Sequence, residues 1–434
     1  MEYTRKITLK ETADVIVVGG GPAGVCAAIA AARTGAKTVL LERGGCLGGI
    51  WTSGFLGWII DYANKNGLLK EIITKLYDRD SVPPCPQRSD VLPFEPEAMK
   101  FLLEELCLEA GVIIRYYSLF TDVLMTSDRQ IHGVATDSKS DSELWCGKVF
   151  IDATGDGDLG ARSGCDFQMG NGNGEMQPMS LLALVCGLEL EEVKDCVMNY
   201  VSRDVAIRNL LGDLKKSRTM PSYNQPSLFH LGGSLYYYMT NHQYGCKGTD
   251  ADDLTSATIN GRREINRQIA ALRKSGGKWR NLQLAATAAY IGVRESRRIN
   301  GLYRVSVDDL KNGVRHDDGI CCVNFCVDVH ALDATHGSIE EPPCRVIPYD
   351  IPLRALISAD VDNLLMAGRC ISGDFYAHAS YRVTGNAAVS GEAAGVCAGV
   401  AAGKNIFPKD LSWNEFVTQY KKDNTTSIQK GREI

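Results

Sequence analysis

Asp14-Val-Ile-Val-Val-Gly19-Gly-Gly21-Pro-Ala-Gly24 opens the most informative stretch of this 434-residue chain. It continues through an alanine-rich segment to Gly35 and closes on Lys37-Thr-Val-Leu-Leu-Glu42. An apolar run, a glycine turn, small residues and a second apolar run predict strand, turn, helix and strand. The turn has the G-x-G-x-x-G spacing, and an acid follows about 20 residues on. Gly19 permits the tight turn, Gly21 removes a Cβ where backbone must approach a pyrophosphate, and Gly24 lets the helix pack on the strand. The helix starting at Pro22 and Ala23 points its unbonded N–H groups and positive dipole end at the phosphates. Glu42 can accept hydrogen bonds from a ribose diol, and its charge repels a 2′-phosphate. These residues together predict a dinucleotide site.

Outward from that unit the composition is that of a globular protein, long enough for two or three domains. A net charge of −5 gives no support for nucleic-acid binding. The cysteine count of 15 is odd, the spacing is irregular and no Cys-x-x-Cys occurs, so disulfide-framework, zinc-ribbon and thioredoxin readings lack a handle. Cys321, Cys322 and Cys326 read as thiols of a strand, and no metal site is expected. A reducing compartment, the cytoplasm, fits this cysteine usage. Met1-Glu-Tyr-Thr-Arg-Lys6 shows no apolar signal region. Ala387 to Gly403 is too short and polar for a membrane span and reads as a close-packed helix.

Further along, Arg43-Gly-Gly-Cys-Leu-Gly48-Gly49-Ile-Trp-Thr-Ser53-Gly54 is too rich in glycine for regular structure and is expected to wrap a ligand. Helices are expected at 67–79 and 95–110, separated by a loop at Pro83-Pro84-Cys85-Pro86. Strands follow at 112–126, 131–136 and 149–153, the last running into Ala153-Thr154-Gly155-Asp156. From about residue 166 helices at 189–216 and 251–275 flank a strand at 227–240, with core aromatics at Tyr236, Tyr237 and Tyr238. A strand pair is expected at 285–306 and a strand at 320–330. Ser306-Val-Asp-Asp309 resembles a capping box. A buried strand at 363–368 and a helix from 384 to 402 complete the pattern. The expected organisation is a nucleotide-binding domain at 1–165, an inserted α+β substrate or cap domain at 166–345, and a return at 346–434.

A plain nicotinamide enzyme would continue into a second βαβ half. Here three distant segments carry cofactor-contact signals: the first turn, Ala153-Thr154-Gly155, and Ala367-Gly368-Arg369 with a late helix beginning at Thr384-Gly385. One long cofactor clamped along its length accounts for all three, and FAD has that length. The chain resembles the FAD-dependent oxidoreductases with a glutathione-reductase-type nucleotide domain, a Rossmann-like α/β fold. It is most similar to the subgroup containing relatives of the heterodisulfide reductase A-subunit flavoprotein. The resemblance covers most of the chain and is carried by Val15–Gly24, Glu42–Gly54, Ile151–Gly157, Asn173–Ser180, Gly292–Tyr303 and Asp362–Arg382. It implies FAD contacts at Gly19, Gly21, Ala23, Gly24, Glu42, Arg43, Gly48, Gly49, Ser53, Val123, Thr154, Gly155, Gly368 and Gly385. The cysteine motifs for built-in iron–sulfur clusters found in some relatives are missing.

Three segments carry candidate chemistry. Alternation along a strand at 289–298 would place Arg294, Ser296 and Arg298 on one face and Glu295 and Arg297 on the other. An arginine pair could grip an anionic substrate bidentately, or bolt two domains together. Asp328-Val-His330 offers a histidine that titrates near neutrality and could take a proton as hydride leaves. Asp374-Phe-Tyr-Ala-His378-Ala-Ser-Tyr-Arg382 should pass the isoalloxazine, where His378 or Arg382 could raise its potential. His316 and His336 read as loop residues, and Cys46 lacks a nearby partner for a redox disulfide. The expected activity is hydride transfer between a small organic substrate, an anion where the arginine pair grips it, and flavin N5. A separate electron acceptor or donor completes the cycle, and a homo-oligomer is possible. The alternatives are a flavin monooxygenase or halogenase, or an electron-transfer flavoprotein subunit.

Overall fold

The computed structural model describes residues 6–333 and 339–423. His336 lies outside them. Strand Thr8–Val18 is central to the main sheet, parallel to Thr38–Leu41 on one side and to Asp141–Asp152 on the other. Ile113–Arg115 extends the sheet beyond Thr38–Leu41, and Leu364–Met366 pairs in parallel with the second half of Asp141–Asp152. The first half of that long strand instead joins an antiparallel meander with Gln130–Ser138 and Leu119–Ser127. One strand thus serves both the parallel core and the meander. The architecture is Rossmann-like α/β.

Two helices cover one face of the parallel core at backbone distance. In Thr384–Lys404 glycines recur every four residues on the side facing Pro22–Arg33. A Cβ on Gly391 would lie 2.0 Å from the Ala23 carbonyl oxygen, and one on Gly395 2.1 Å from that of Ala27. Alanine-rich and glycine-rich faces meet here because nothing larger fits. Helix Trp413–Asp423 then lays Phe416 and Tyr420 into the same core.

A second sheet is wholly antiparallel, in the order Ser227–Gly232, Leu235–Met239, Ala183–Cys186, Gln283–Thr287. Tyr236, Tyr237 and Tyr238 are buried in its core. Helix Ala251–Ser275 opens on Asp250, whose carboxylate accepts the N–H groups of Asp252 and Asp253. Trp58 crosses from the ribbon Trp58–Ile60/Val91–Pro93 to stack on Phe229 at 4.6 Å. Phe55, Trp58 and Val91 thus belong to the second core, while Ile299, Val305, Val323 and Val329 pack into the first.

Several elements differ from expectation. The strand expected at 227–240 is a hairpin, turned at Gly232 and Gly233, both with positive φ. The helix expected at 189–216 breaks where Asn199 turns inward. Its amide donates to the carbonyls of Pro84 and His230 and its oxygen accepts the His230 N–H. The 289–298 segment is not a strand: Gly292 makes an isolated antiparallel bridge to Ser180, and Arg298–Ile299 pairs with Phe167–Gln168. The strand expected at 320–330 is Gly319–Val323. The capping box forms, with the Ser306 N–H donating to Asp309 Oδ2 at 2.8 Å.

Candidate active site

The register of the main sheet lines up its carboxyl ends. Val18 pairs with both Leu41 and Asp152, Leu41 with Arg115, and Asp152 with Met366. The residues after these strand ends are Gly19, Glu42, Ala153-Thr154-Gly155 and Ala367-Gly368-Arg369, so segments more than 300 positions apart open onto one edge. Ligands of open α/β sheets bind outside this end. A shallow hollow lined by Thr12, Asp14, Lys37, His132 and Lys148 lies at the opposite, amino end of the strands and is unrelated to it.

Local geometry locks these turns together. Gly19 has φ +102°, and a Cβ there would stand 2.5 Å from the Ala153 oxygen; one on Gly24 would stand 1.7 Å from the Gly19 oxygen. A Cβ on Gly21 would meet nothing within 4 Å, so the turn presents open backbone where a phosphate must approach. The Gly48 N–H donates to the Gly20 oxygen at 2.8 Å, and Gly49 packs against Gly21. Glu42 is buried and accepts the N–H groups of Gly20 at 2.7 Å and Gly44 at 2.6 Å, tying the two glycine segments to each other. Asp152 accepts the amide and hydroxyl of Thr154 and the Gly160 N–H. Burial pushes its carboxyl up to about 6 despite these bonds. Arg369 fills the space left by the missing Cβ of Gly155 and pairs with Asp156 at 3.1 Å. At the start of the closing helix, Thr384 Oγ1 and Asn386 Nδ2 are buried without hydrogen-bond partners among the described residues. Open backbone at Gly21 and buried polar atoms at Thr384 and Asn386 fit a dinucleotide cofactor lying across the sheet edge.

Beside that edge a second group of side chains converges. His330 Nε2 lies 3.1 Å from Asp328 Oδ2, and its Nδ1 lies 3.2 Å from His242 Nε2. His242 Nδ1 is 3.3 Å from the Tyr244 hydroxyl, and the Tyr223 ring stacks on His242 at 4.0 Å. Arg382 Nη2 donates to the Asp328 carbonyl at 2.7 Å and approaches its carboxylate at 3.2 Å. Arg294 Nη1 donates to the Pro178 carbonyl at 2.6 Å and to Ser180 Oγ at 3.0 Å. Among the described residues Arg294 has no carboxylate partner.

Burial, then Arg294, push His330 down to about 4, outweighing the pull of Asp328. Burial, Arg294 and His330 lower His242 as well. Burial works to raise Asp328, but His330, Arg382 and Arg294 overcome it and hold the carboxyl well below its usual range. Burial and the neighbouring Arg382 bring Arg294 down to about 10. At neutral pH the cluster is therefore two guanidiniums, one carboxylate and two neutral imidazoles. The carboxylate only accepts, so His330 carries its proton on Nε2 and its Nδ1 accepts from His242 Nε2.

Residues 14–420 match the family described as FAD dependent oxidoreductase. The chain belongs to this FAD-dependent oxidoreductase family. Among solved structures, a triple mutant of the flavin-dependent brominase Bmp2 superposes with a TM-score of 0.51 at 12% identity, covering 94% of this chain and 84% of that one. A geranylgeranyl bacteriochlorophyll reductase-like protein from Thermoplasma acidophilum is similar over 95% of this chain and 84% of its own, at 14% identity and a TM-score of 0.49. The brominase likeness shows a shared fold. FAD is the cofactor of this family, and the protein is an enzyme. Among the described residues no helix is long and apolar enough to cross a membrane.

Of the residues singled out for chemistry in this FAD-dependent oxidoreductase, Arg294, His330 and Arg382 meet in the buried cluster. Arg298 and His378 do not. Arg298 donates to the Gly373 carbonyl, to Glu295 at 2.7 Å and to the Gly170 carbonyl, which uses its guanidinium structurally. Glu295 and Arg298 therefore point the same way, against the expected alternation, because a buried ion pair overrides a strand pattern in an irregular segment. His378 is fully enclosed in helix Phe375–Tyr381, where its ring packs edge-on against Tyr381. Burial and nearby arginines drive it well below its ordinary value. It has no surface to offer a ligand. Arg43 lies over the Tyr290 ring at 4.6 Å, and the Ser53 carbonyl accepts the Ala289 N–H. Val123 sits in the outer meander strand, which packs against Asp158–Arg162. Cys46 is a free thiol 3.1 Å from Ser53 Oγ. Sequence reasoning missed His242, Tyr223 and Gln177, whose side-chain oxygen accepts the His330 backbone N–H at 3.0 Å. Gln177 lies in the quoted Asn173–Ser180 run, but nothing along the chain announces that His242 meets His330.

Proposed function

We propose that the protein passes a hydride between a small anionic organic substrate and FAD, with the anion seated between Arg294 and Arg382. The charge balance of the buried cluster carries this reading. Among the described residues two guanidiniums face one carboxylate, and Arg294 donates to neutral oxygens. A partly buried cation with no counter-charge is held at a cost in free energy, which an anionic ligand would recover.

FAD, when bound, supplies the two-electron centre for hydride. Gly19, Gly21, Pro22, Ala23 and Gly24 would hold its pyrophosphate. Glu42, Arg43 and Val123 would face the adenosine half. Gly48, Gly49, Ser53, Ala153, Thr154 and Gly155 would line its middle, with Gly368, Arg369, Thr384 and Gly385 at the far end. Arg294 and Arg382 would bind and orient the substrate through charge-assisted hydrogen bonds. The Asp328–His330–His242 chain would hold the proton that accompanies the hydride, with His242 Nδ1 as the imidazole lone pair left open in the row. The 166–345 segment would close over the substrate, and a separate molecule would accept or supply the electrons. Within the family we place the chain beside relatives of the heterodisulfide reductase A-subunit flavoprotein, on its Arg294–Ile299 and Asn363–Ser372 runs. A cytoplasmic setting fits its free thiols.

Anaerobic mixing of the holoprotein with hydroxy acids, unsaturated acids, amines and sugars tests this. Bleaching of the visible band, or its return from the reduced form, is expected with acids alone and should be lost in Arg294→Gln. Reaction with neutral sugars or amines while the acids stay inert would contradict the reading. Substrate-dependent oxygen consumption by the reduced protein would favour the monooxygenase or halogenase alternative.

A further inference from the structure

We infer that an anion entering between Arg294 and Arg382 brings a proton with it, and that the proton settles on the His330–His242 pair. This rests on the anionic reading of the site and adds to it a coupling between ligand charge and protonation.

The geometry that carries the inference is a continuous hydrogen-bonded row from Asp328 through His330 and His242 to Tyr244, buried against both arginines. The charged groups facing His330 are Asp328, Arg294 and Arg382. Those facing His242 are Arg294 and His330, with the hydroxyl of Tyr244 at its far nitrogen and the ring of Tyr223 on its face. Further out, Glu264 holds Ser222 behind His242, and Glu295 and Asp333 act on Arg382 and Tyr244.

Without a ligand, both imidazoles are kept neutral by burial and by the two guanidiniums. Only Asp328 favours a charged His330. An anion held by the guanidiniums cancels their repulsion and leaves burial as the one opposing force. The imidazole pair then becomes more basic. Linkage sets the sign: a group that binds protons more tightly in the liganded state makes ligand affinity fall as pH rises. The same coupling has a catalytic use, because the charged pair is a competent proton donor once the substrate anion is in place.

Isothermal titration of the FAD-loaded protein tests the coupling with oxalate and succinate as probes. The titrations use two buffers of different ionisation enthalpy between about pH 7 and 8.5, where both probes are ionised. The expected result is saturable binding with uptake of up to about one proton per anion, and affinity falling by up to about tenfold per pH unit. His330→Gln and His242→Gln should still bind the anions but take up fewer protons, with FAD content and circular dichroism as checks on folding. Arginine-dependent binding with no proton uptake in the native protein would overturn the inference while leaving the anionic reading standing. Absence of saturable binding by either probe would remove both.

Discussion

Arg294 and Arg298 sit four residues apart and carry the same charge, yet their surroundings give them opposite uses. Arg298 is 2% exposed and its three donating nitrogens end on Glu295 and two carbonyls. Arg298→Ala leaves buried Glu295 without its ion-pair partner, held by the Gln177 N–H at 3.2 Å, and should lower unfolding free energy by about 3 kcal/mol. Arg294 has no such anion. Arg294→Gln should leave the melting temperature unchanged or raised while weakening anion binding, because it removes a partly buried charge held for a ligand. Thermal denaturation and oxalate titration of the two variants check this, and a large stability loss in Arg294→Gln would make that arginine structural too. Side-chain type pointed to Arg294, His330 and Arg382, and equally to Arg298 and His378, because a cation or histidine near a cofactor can as readily bolt a structure together as bind a ligand. It misplaced His378 because enclosure by one turn of Phe375–Tyr381 is a property of packing, which neighbouring letters do not report. His242 was invisible for the converse reason: its role is created by a ring 88 positions away.

Among the elements, those written in a strong local pattern were legible. The first βαβ unit and the long helices Ala251–Ser275 and Thr384–Lys404 follow from periodicity and glycine placement, whereas the turn that splits 227–240 into a hairpin does not. The 289–298 segment did not, since Glu295 and Arg298 satisfy each other across an irregular backbone and break the alternation of a strand. The closing helix Thr384–Lys404 carries the clearest element-scale prediction. Gly395 faces the Ala27 carbonyl with no room for a Cβ, whereas Gly403 in the same helix is exposed and open. Gly395→Ala should cost about 1–3 kcal/mol through overpacking and loosen the grip on FAD. Gly403→Ala should stabilise by about 0.5–1 kcal/mol through helix propensity. Denaturant titrations with FAD release as a second signal separate the two. Equal effects would mean that the helices are not in backbone contact.

At the scale of the whole molecule, the decisive feature is that strands far apart in the chain end in one register row. Each distant glycine motif suggested a cofactor contact by itself; only the pairing of Asp152 with both Val18 and Met366 sets them side by side. Pairing partners cannot be read from one sequence, because many apolar runs could occupy the same place in a sheet. The interleaving of the two cores was equally hidden, since Trp58 reaches the second core from within the first nucleotide segment. The central claim is that this row holds FAD with its reacting end toward the Arg294–Arg382 cluster. A crystal structure of the FAD-loaded protein soaked in oxalate tests it most directly. The expected result is the pyrophosphate at Gly21–Ala23, the flavin ring beside Thr384, and oxalate between the two guanidiniums facing that ring. FAD seated elsewhere, or a wall of protein between its ring and the two arginines, would contradict it.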